Sequence, residues 1–421
     1  MKQLQALEIL KSGKNVFLTG EPGAGKSYTI NLFNDWLKQK GRYPAITAST
    51  GIAATHINGV TIHSWAGIGI KEVLTERDLK AIAEKEYVAR RILSTGILII
   101  DEISMINGQT LDNVDKVCRH IRAMNGMDNY NTPFGGLQVI FVGDFFQLPP
   151  VSKGDKQAKF AFQSDAWLAA EPQICYLTEQ HRQEDQKFLD VLTALRAGKL
   201  GKKHIMALTN RKRKAPADIT RLFTHNADVD RVNDEELSKI EGKMHRYQML
   251  ASGIPFLVDT LKKSCLSPET LDLKIGAPVM FTRNDQQTDG VPGQYVNGTL
   301  GTVVAYNEKN FPIVETKDGR RISIQARQSW SIEEYGAVKA SIEQIPLRLA
   351  WAITVHKCQG MSLDAATMDL SKSFEYGQGY VALSRVRSLD GLYLEGINSR
   401  ALEMHPVVVE KDGMFRKLSE I

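Results

Sequence analysis

The residues most able to do chemistry lie near the start of the chain, in the segment Gly20-Glu21-Pro22-Gly23-Ala24-Gly25-Lys26-Ser27. This segment fits the pattern G-x-x-x-x-G-K-[ST] of a phosphate-binding loop without a mismatch. Its glycines let backbone N–H groups close around the β- and γ-phosphates of a nucleotide, and its lysine adds a positive charge. The serine hydroxyl can ligate Mg²⁺. The sequence therefore predicts binding of ATP or GTP.

Two predicted elements flank this loop as its mechanism requires. Residues 15–19 form a short apolar run that is typical of a buried strand. Residues 28–38 carry Ile30, Phe33 and Leu37 at helical spacing, which predicts a helix whose positive dipole end faces the phosphates. The alternative is a glycine-rich turn that binds nothing, and the flanking strand and helix argue against it.

A second apolar run, residues 97–100, ends in Asp101 and Glu102. Such a run is typical of a buried parallel strand whose carboxyl end lies at a ligand site. Asp101 can hold Mg²⁺, directly or through water, and Glu102 can orient or deprotonate an attacking water. This pair supplies what the phosphate-binding loop lacks for hydrolysis. An unrelated strand end that happens to carry two acids is the alternative.

A third apolar run, residues 137–142, leads into a tight turn that contains Gln147. The side-chain amide of Gln147 has the reach to sense a γ-phosphate. Phe145 and Phe146 in the same turn either stack on nucleic-acid bases or pack in the core, and packing is the commoner role for aromatics at a strand end.

Arg182 and Arg385 are isolated arginines near the ends of predicted elements. An arginine that reaches a γ-phosphate from a second structural unit stabilises transition-state charge and makes closure of the cleft depend on the nucleotide. A lone arginine is more often a surface residue, so spacing alone leaves both interpretations open. The stretch 196–214 has eight basic residues and no acidic one, which predicts either a solvated helical face or a nucleic-acid contact.

Three other segments each have a functional and a plain structural interpretation. The amide of Gln3 either pairs with the adenine edge or is solvated. The small-residue turn 49–54 either binds a second phosphate-rich ligand or is a simple strand-to-helix connection. His63 and Trp65 lie in an apolar segment punctuated by glycines, and on local grounds they are core residues.

Composition bounds the class of protein. The chain has 421 residues, of which 43% are hydrophobic, and a formal net charge of +5, which is compatible with a polyanionic partner but does not require one. It lacks an apolar run long enough to span a bilayer and a secretory signal at its start, so we expect a soluble intracellular protein. The four cysteines form no C-x-x-C pair, which argues against a zinc ribbon or a disulfide framework.

The pattern of predicted elements divides the chain. Alternating strands and helices up to Tyr176 predict a doubly wound sheet with the nucleotide at the carboxyl ends of its strands. A second α/β unit without a phosphate-binding loop starts near Ile219 and resumes after residue 343. Between about 260 and 343, short alternating segments with turn signals predict a small β-barrel insertion.

Taken together, these segments resemble the superfamily 1B DNA helicases of the petite-integration-frequency (PIF) family, over essentially the whole chain. The resemblance rests on the order of the motifs more than on any single one. After the phosphate-binding loop, the matching segments are 49–54, 59–64, 101–105, 143–150, 354–360 and 380–385. Most specific is 111–137, where Asp112, Arg119, Ile121-Arg122 and Pro133-Phe134-Gly135-Gly136 resemble the signature that separates this family from its relatives.

The resemblance implies ATP-driven movement along single-stranded DNA in the 5′-to-3′ direction and unwinding of duplex DNA, with Mg²⁺ accompanying ATP. It implies an α/β fold of two RecA-type domains, with a short insertion called 1B at about 57–71 and an SH3-like β-barrel insertion called 2B. The implied boundaries are 1–176 for domain 1A, 177–259 with 344–400 for domain 2A, 260–343 for 2B and 401–421 for a C-terminal tail.

The resemblance also assigns roles to individual residues. The catalytic residues would be Lys26, Glu102, Gln147, Arg182 and Arg385, and Ser27 and Asp101 would hold Mg²⁺. ATP would be bound by Gln3, Gly20, Pro22, Gly23, Ala24, Gly25, Lys26, Ser27, Tyr28 and Gly360. DNA would be bound by Thr50, Gly51, His63, Asn226, Thr354, His356 and Lys357.

Partners and pathway are less constrained. The expected partners are single-stranded and forked DNA, with G-quadruplex DNA as a further candidate; no membrane is expected, and the protein is expected to act as a monomer. The pathway stays open among DNA repair, recombination and telomere maintenance, and the compartment between the cytoplasm of a bacterium or phage and the nucleus or mitochondrion. One departure from the family pattern is His181, which stands before Arg182 where an aromatic residue is expected.

Two other classes of function are compatible with the same motifs. An ATP-dependent switch or assembly factor would bind ATP and a protein partner without moving along nucleic acid. A motor that acts on RNA is the weaker alternative.

Overall fold

A computed structural model describes most of the chain. The described residues are 1–57, 59–69, 71–127, 131–151, 158–179, 185–216, 219–283, 285, 294–295, 297–316, 318–334 and 337–420. Of the predicted site residues, Arg182 lies outside this part of the chain, as does its neighbour His181.

The regular elements alternate in the first half of the chain and become predominantly β between residues 245 and 354. The helices are α1 Gln3–Lys11, α2 Lys26–Gln39, α3 Gly51–His56, α4 Ile62–Ala66, α5 Glu76–Ala83, α6 Glu86–Ser94, α7 Gly108–Met124, α8 Asp165–Ala170, α9 Gln186–Arg196, α10 Lys202–Thr209, α11 Asn226–Lys239, α12 Pro255–Ser264, α13 Gln378–Leu383 and α14 Pro406–Ser419. The strands are β1 Val16–Gly20, β2 Ala45–Ala48, β3 Val60–Thr61, β4 Ile97–Asp101, β5 Gln138–Val142, β6 Gln173–Leu177, β7 Arg221–Phe223, β8 His245–Gln248, β9 Leu250–Gly253, β10 Thr270–Leu273, β11 Pro278–Phe281, β12 Leu300–Tyr306, β13 Pro312–Thr316, β14 Arg321–Ser323, β15 Gln328–Glu334, β16 Ala337–Gln344, β17 Leu347–Leu349, β18 Ala352–Thr354, β19 Ala366–Leu370 and β20 Leu392–Ile397.

The chain folds into two compact units that are each discontinuous in sequence. The first consists of Met1–Asn210, Ser373–Leu389 and Asn398–Ile421, and the second of Arg211–Lys372 and Asp390–Ile397. These units do not test the predicted boundaries of domains 1A, 2A and 2B, which stay a prediction.

The first unit is built on a six-stranded parallel sheet in the order β3-β2-β4-β5-β1-β6. Strand β1 is buried along its whole length, as expected for a parallel strand covered on both faces. Helices α1 and α2 cover one face through Leu10, Phe33 and Leu37, which pack with Ile99 and Val142 of the sheet. This arrangement confirms the predicted doubly wound sheet and places the ends of β1, β4 and β5 at one edge.

The C-terminal segment, predicted to be a tail, contains a helix that packs in the core of this unit. Phe415 of α14 lies 5.1 Å from Phe17 of β1, measured between ring centroids, and also contacts Phe145 and Trp167. Phe145 and Phe146 are both buried, so packing is their role in the structure, not stacking on bases.

The residues that resemble a family signature have structural contacts. Asp115 of α7 accepts a hydrogen bond from the backbone N–H of Phe134, and Asp112 accepts one from the backbone N–H of Ala166 at 2.9 Å. The guanidinium of Arg122 donates to the carbonyl oxygen of Thr95 at 3.1 Å. The contact of Asp115 fixes α7 to the turn at Pro133–Gly136, and the other two fix α7 to α8 and to the end of α6. This segment therefore maintains the fold of the first unit.

The second unit combines a parallel sheet in the order β18-β7-β19-β20 with antiparallel sheets. The antiparallel sheets have the orders β14-β13-β12-β11-β17, β15-β16-β9 and β10-β8. The first strand of these antiparallel sheets begins at His245. The described strands show open sheets, and closure into an SH3-like barrel stays a prediction.

Two simple expectations are also tested. Cys118, Cys175, Cys265 and Cys358 are all free in this structure. Within the described ranges, every helix is too short or too polar to cross a lipid bilayer.

Candidate active site

The phosphate-binding loop connects β1 to α2, which confirms the strand and helix predicted around it. Gly25 precedes the helix with φ of 88°, in the left-handed region that glycine adopts without strain. The ammonium of Lys26 donates hydrogen bonds to the carbonyl oxygens of Gly20 at 2.7 Å and Glu21 at 3.2 Å. The loop therefore curves around the lysine, and the start of α2 points its free N–H groups into the curve.

Gln3 lies directly against this loop. Its side-chain amide nitrogen donates to the carbonyl oxygen of Ala24 at 3.2 Å, and a Cβ atom built on Gly25 would lie only 1.9 Å from that nitrogen. A terminal, solvated side chain would make neither contact. This position suits a residue that contacts the base of a nucleotide held in the loop, and the role of Gln3 stays a prediction.

Asp101 and Glu102 lie at the carboxyl end of β4, as predicted. The carboxylate of Asp101 accepts a hydrogen bond from the backbone N–H of Glu102 at 2.8 Å. Glu102 itself has φ of 51°, a left-handed conformation that costs a non-glycine residue about 1–2 kcal/mol. Strain of this kind concentrates at functional sites, where the surrounding structure maintains it.

Burial shifts the protonation of the charged groups at this edge. It raises the pKa of Glu102 to about 7, assisted by the negative charge of Asp101 and opposed by Lys26 and Arg385. It also raises the pKa of Asp101 and lowers the pKa of Lys26, although Asp144 and Glu102 favour the charged lysine. A carboxylate with a pKa near neutrality is suited to general-base chemistry.

Gln147 and Arg385 lie in the same unit as the loop. Gln147 is buried in a turn that is closed by a hydrogen bond from its backbone N–H to the carbonyl oxygen of Asp144 at 2.9 Å. Arg385 is only 1% exposed and follows α13, and its Nε donates to the carbonyl oxygen of Val381 at 2.8 Å. Because the charge of Arg385 opposes the pKa rise at Glu102, the guanidinium acts on the candidate base.

The other ATP and metal residues are less buried. Ser27 and Tyr28 are exposed at the start of α2, and Gly360 lies in the second unit with φ of 80°. Among the residues that the structure describes, no three His, Cys, Asp or Glu side chains gather into a metal site. The pair Ser27 and Asp101 fits Mg²⁺ that arrives with ATP, since this ion is usually held by one or two protein ligands together with phosphates and water.

The predicted DNA-binding residues of the first unit lie around α3 and α4. The hydroxyl of Thr50 accepts a hydrogen bond from the backbone N–H of Ala53 at 3.2 Å, and Gly51 begins α3. His63 is half-buried on α4, and burial lowers its pKa. Trp65, two residues further on, is buried in the core, as the plain interpretation of this segment has it.

The predicted DNA-binding residues of the second unit lie at the carboxyl ends of β7 and β18. Asn226 is exposed at the first position of α11. The hydroxyl of Thr354 accepts a hydrogen bond from the backbone N–H of Lys357 at 3.3 Å. His356 and Lys357 are half-buried, and burial lowers the pKa of each. Both side chains therefore lose their positive charge more readily than usual, and they lie near the carboxyl ends of parallel strands, where ligands commonly bind.

One residue of this site was missed by the sequence analysis. Arg196 was included in a basic stretch interpreted as a solvated face or a nucleic-acid contact, and for this residue both interpretations are wrong. Its side chain is 2% exposed and lies 2.6 Å from the carboxylate of Asp144. The spacing of Phe188, Leu192 and Arg196 places the arginine on the apolar face of α9, which is a signal for its burial.

Comparison with known proteins gives a consistent result. Residues 2–205 match the model of the PIF1-like helicases, and residues 257–306 match that of the DNA helicase Pif1, 2B domain. A protein of Psychrobacter sp. named ATP-dependent DNA helicase Pif1 is 44% identical, with 100% of this chain and 71% of that relative covered. The chain spans a smaller share, 61–63%, of the vertebrate relatives.

Solved structures agree. The Pif1 helicase of Candida albicans has a TM-score of 0.83 and 34% identity, with 98% of each chain covered. The Pif1 helicase from Bacteroides in complex with ADP-AlF3 and single-stranded DNA has a TM-score of 0.70 and 30% identity, covering 99% of this chain and 96% of that one. A structure described as two coordinating Pif1 helicases at forked double-stranded DNA has a TM-score of 0.71 and 30% identity, with the same coverage.

Proposed function

This chain belongs to the PIF1-like helicase family, whose members are named ATP-dependent DNA helicases, and we propose that it hydrolyses ATP to move 5′-to-3′ along single-stranded DNA and to unwind duplex DNA. The observation that carries the proposal is that Lys26, Glu102, Gln147 and Arg385 lie in one compact unit, where the charges of Lys26 and Arg385 both act on Glu102.

Each of these residues has a defined task in the proposed reaction. Lys26 and the N–H groups of the loop bind the β- and γ-phosphates, and Gln3 contacts the adenine. Glu102 accepts a proton from the attacking water or orients it, Gln147 senses the γ-phosphate, and Arg385 stabilises the charge that develops on it. Ser27 and Asp101 would hold the Mg²⁺ that arrives with ATP and neutralises phosphate charge.

The proposed DNA contacts are of two kinds. Polar groups at helix starts, such as Thr50 with Gly51 and Asn226, suit phosphate oxygens. The half-buried His63, His356 and Lys357 suit closer contacts to the strand, and Thr354 fixes the backbone of Lys357. Arg182, which lies outside the described residues, keeps its role as a second arginine at the γ-phosphate as part of this proposal.

Substrate structure and assembly belong to the same proposal. We propose that single-stranded and forked DNA are substrates, with G-quadruplex DNA as a further candidate. Action as a monomer is the starting assumption, although a solved relative is described as two coordinating helicases at a fork. Unwinding rates measured over a range of protein concentrations at fixed DNA distinguish a monomer, which gives a linear dependence, from a cooperative pair.

Polarity is tested with short duplexes that carry a single-stranded tail on either the 5′ or the 3′ side. We expect ATP-dependent strand displacement from the 5′-tailed duplex only, together with ATPase activity that single-stranded DNA stimulates. Displacement from the 3′-tailed duplex alone would contradict the polarity. ATPase activity that ignores DNA, with product from neither duplex, would contradict the motor and leave an ATP-driven binding switch.

DNA binding is expected to weaken at alkaline pH because Lys357 loses its charge there. The pKa of Lys357 is lowered to about 8, mainly by burial and also by the charge of Arg348, while Asp230 opposes both. Above that pH the neutral amine gives no phosphate contact, so affinity for single-stranded DNA should fall between pH 8 and 9. The slope of log affinity against log salt should also shrink by about 0.7, the share of one phosphate.

Two variants control this measurement. Arg348→Met removes the neighbouring positive charge and should move the onset of weakening to higher pH. Lys357→Met should bind weakly at every pH and lose the dependence between pH 8 and 9. The same pH dependence in Lys357→Met as in the unmodified protein would contradict the assignment.

A further inference from the structure

The buried guanidinium of Arg196 donates hydrogen bonds to four side chains in four different segments. Its Nη1 donates to the carboxylate of Asp144 at 2.6 Å and to the phenol of Tyr380 at 3.0 Å. Its Nη2 donates to the phenol of Tyr176 at 2.8 Å and to the carboxylate of Asp412 at 3.3 Å. One guanidinium therefore connects the turn after β5, strand β6, helix α13 and helix α14.

Two of these partners lead directly to the γ-phosphate residues. Asp144 begins the turn that carries Gln147, and its carboxylate also accepts a hydrogen bond from the backbone N–H of Phe146 at 3.1 Å. Tyr380 lies on α13, five residues before Arg385. The guanidinium also lies over the ring of Phe146, 4.2 Å from its centroid, so the turn is held from its side and from its start.

A second contact joins the same two segments without any side chain. Gly377 caps the start of α13 with φ of 74°, and a Cβ atom there would lie 2.4 Å from the carbonyl oxygen of Phe146 and 2.7 Å from that of Gln147. The backbone of α13 thus packs directly on the Gln147 turn. Small changes in one segment are therefore transmitted to the other.

We propose that Arg196 is a positioning residue for ATP hydrolysis. Through Asp144 and Tyr380 it fixes the Gln147 turn relative to α13, the helix that precedes Arg385. The inference rests on the proposed function, because it concerns the same ATP site. In this role Arg196 supplies no reacting group itself; it sets the distance between two groups that must meet one phosphate. Misplacement of such groups by about 1 Å costs about 100-fold in rate.

A purely structural role predicts a different pattern. In that case Arg196 would only neutralise Asp144 and Asp412, and each of its hydrogen bonds would contribute to folding alone. Tyr176 provides the comparison. Its phenol accepts a hydrogen bond from the same guanidinium, but Tyr176 lies on β6 and does not connect the Gln147 turn to α13. Loss of either phenol leaves the buried ion pair between Arg196 and Asp144 intact, so both variants should fold.

The experiment compares Tyr380→Phe with Tyr176→Phe in steady-state ATPase assays, with and without single-stranded DNA. We expect Tyr380→Phe to lower kcat about tenfold with little change in KM for ATP, because the variant loses the hydrogen bonds that join the phenol to Arg196 and Asp144. Tyr176→Phe should change kcat less than about twofold. Arg196→Lys keeps the positive charge beside Asp144 but has no fork to reach Tyr380, so it should resemble Tyr380→Phe.

A double variant makes the test independent of folding. If Tyr380 acts by placing the Gln147 turn, then Tyr380→Phe should cost less than about twofold more in a Gln147→Ala background. Equal losses in the two phenol variants, a change confined to KM, or full additivity with Gln147→Ala would overturn the inference. Failure of the proposed function is a separate result, since the unmodified protein would then show no stimulation by DNA while these ratios of kcat are still measured without DNA.

Discussion

Replacing Arg385 with alanine is expected to slow ATP hydrolysis by about 10³-fold or more while ATP still binds. The guanidinium is 1% exposed, its Nη2 donates to the hydroxyl of Ser384 at 2.7 Å, and its charge acts on Glu102. It is therefore held in place before the reaction and is not ordered during it. Preorganised charge of this kind stabilises a transition state at no further cost.

Single-turnover hydrolysis and equilibrium binding of ATP measure the two halves of this expectation. The matched control is Arg387→Ala, which removes the same side chain from an exposed position two residues further on and should leave the rate within about twofold. Arg385→Lys should recover little activity, because an ammonium lacks the planar fork of donors. A rate loss below tenfold in Arg385→Ala would remove this residue from the reaction.

Replacing Glu102 with glutamine is expected to reduce hydrolysis by about 10² to 10⁴-fold with binding of ATP preserved. Glutamine has about the same size as glutamate and leaves the backbone unchanged, but its amide takes up no proton. Burial raises the pKa of Glu102 to about 7, so the protein gains the active base as pH rises through that value. The dependence of kcat/KM on pH should therefore rise through about 7 and be absent in the residual rate of Glu102→Gln.

Stability gives a second measurement on the same variant. A carboxyl group whose pKa is higher in the folded than in the unfolded state contributes stability at low pH and loses it as pH rises through the folded pKa. The free energy of unfolding should therefore fall for the unmodified protein between about pH 4.5, the ordinary pKa of a glutamate, and about pH 7, relative to Glu102→Gln. Glu84→Gln, at an exposed position, is the control and should show the unmodified dependence. If the free energy of unfolding depends on pH in the same way in all three proteins, the pKa of Glu102 is not raised in the folded state.

The elements around the nucleotide were predictable because local chemistry dictates them. A phosphate-binding loop needs glycines at fixed positions, and Gly25 does adopt a positive φ at the start of α2. Strands β4 and β5 are apolar because both faces of a parallel sheet are buried, and the acids at the end of β4 follow from the same topology. These constraints act within about ten residues and are therefore legible in the sequence.

The contacts that were not predicted join residues far apart in the chain. Arg196 lies 52 residues from Asp144 and 184 from Tyr380, and no local pattern encodes such a pairing. The same holds for Phe415, whose packing against Phe17 gives α14 its place in the first unit. Both residues stand at apolar-face positions of their helices, which indicates burial but not the partner. Only the tertiary structure identifies the partner residue.

The place of α14 has a consequence for synthesis of the protein. Strand β1 and the phosphate-binding loop leave the ribosome before α14, and Phe17 meets Phe415 only after nearly four hundred further residues have been translated. During that interval Phe17, Phe145 and Trp167 have no aromatic neighbour from α14. The nascent nucleotide-binding unit therefore exposes apolar surface that a chaperone is suited to cover, and it completes its core only when the last helix is made.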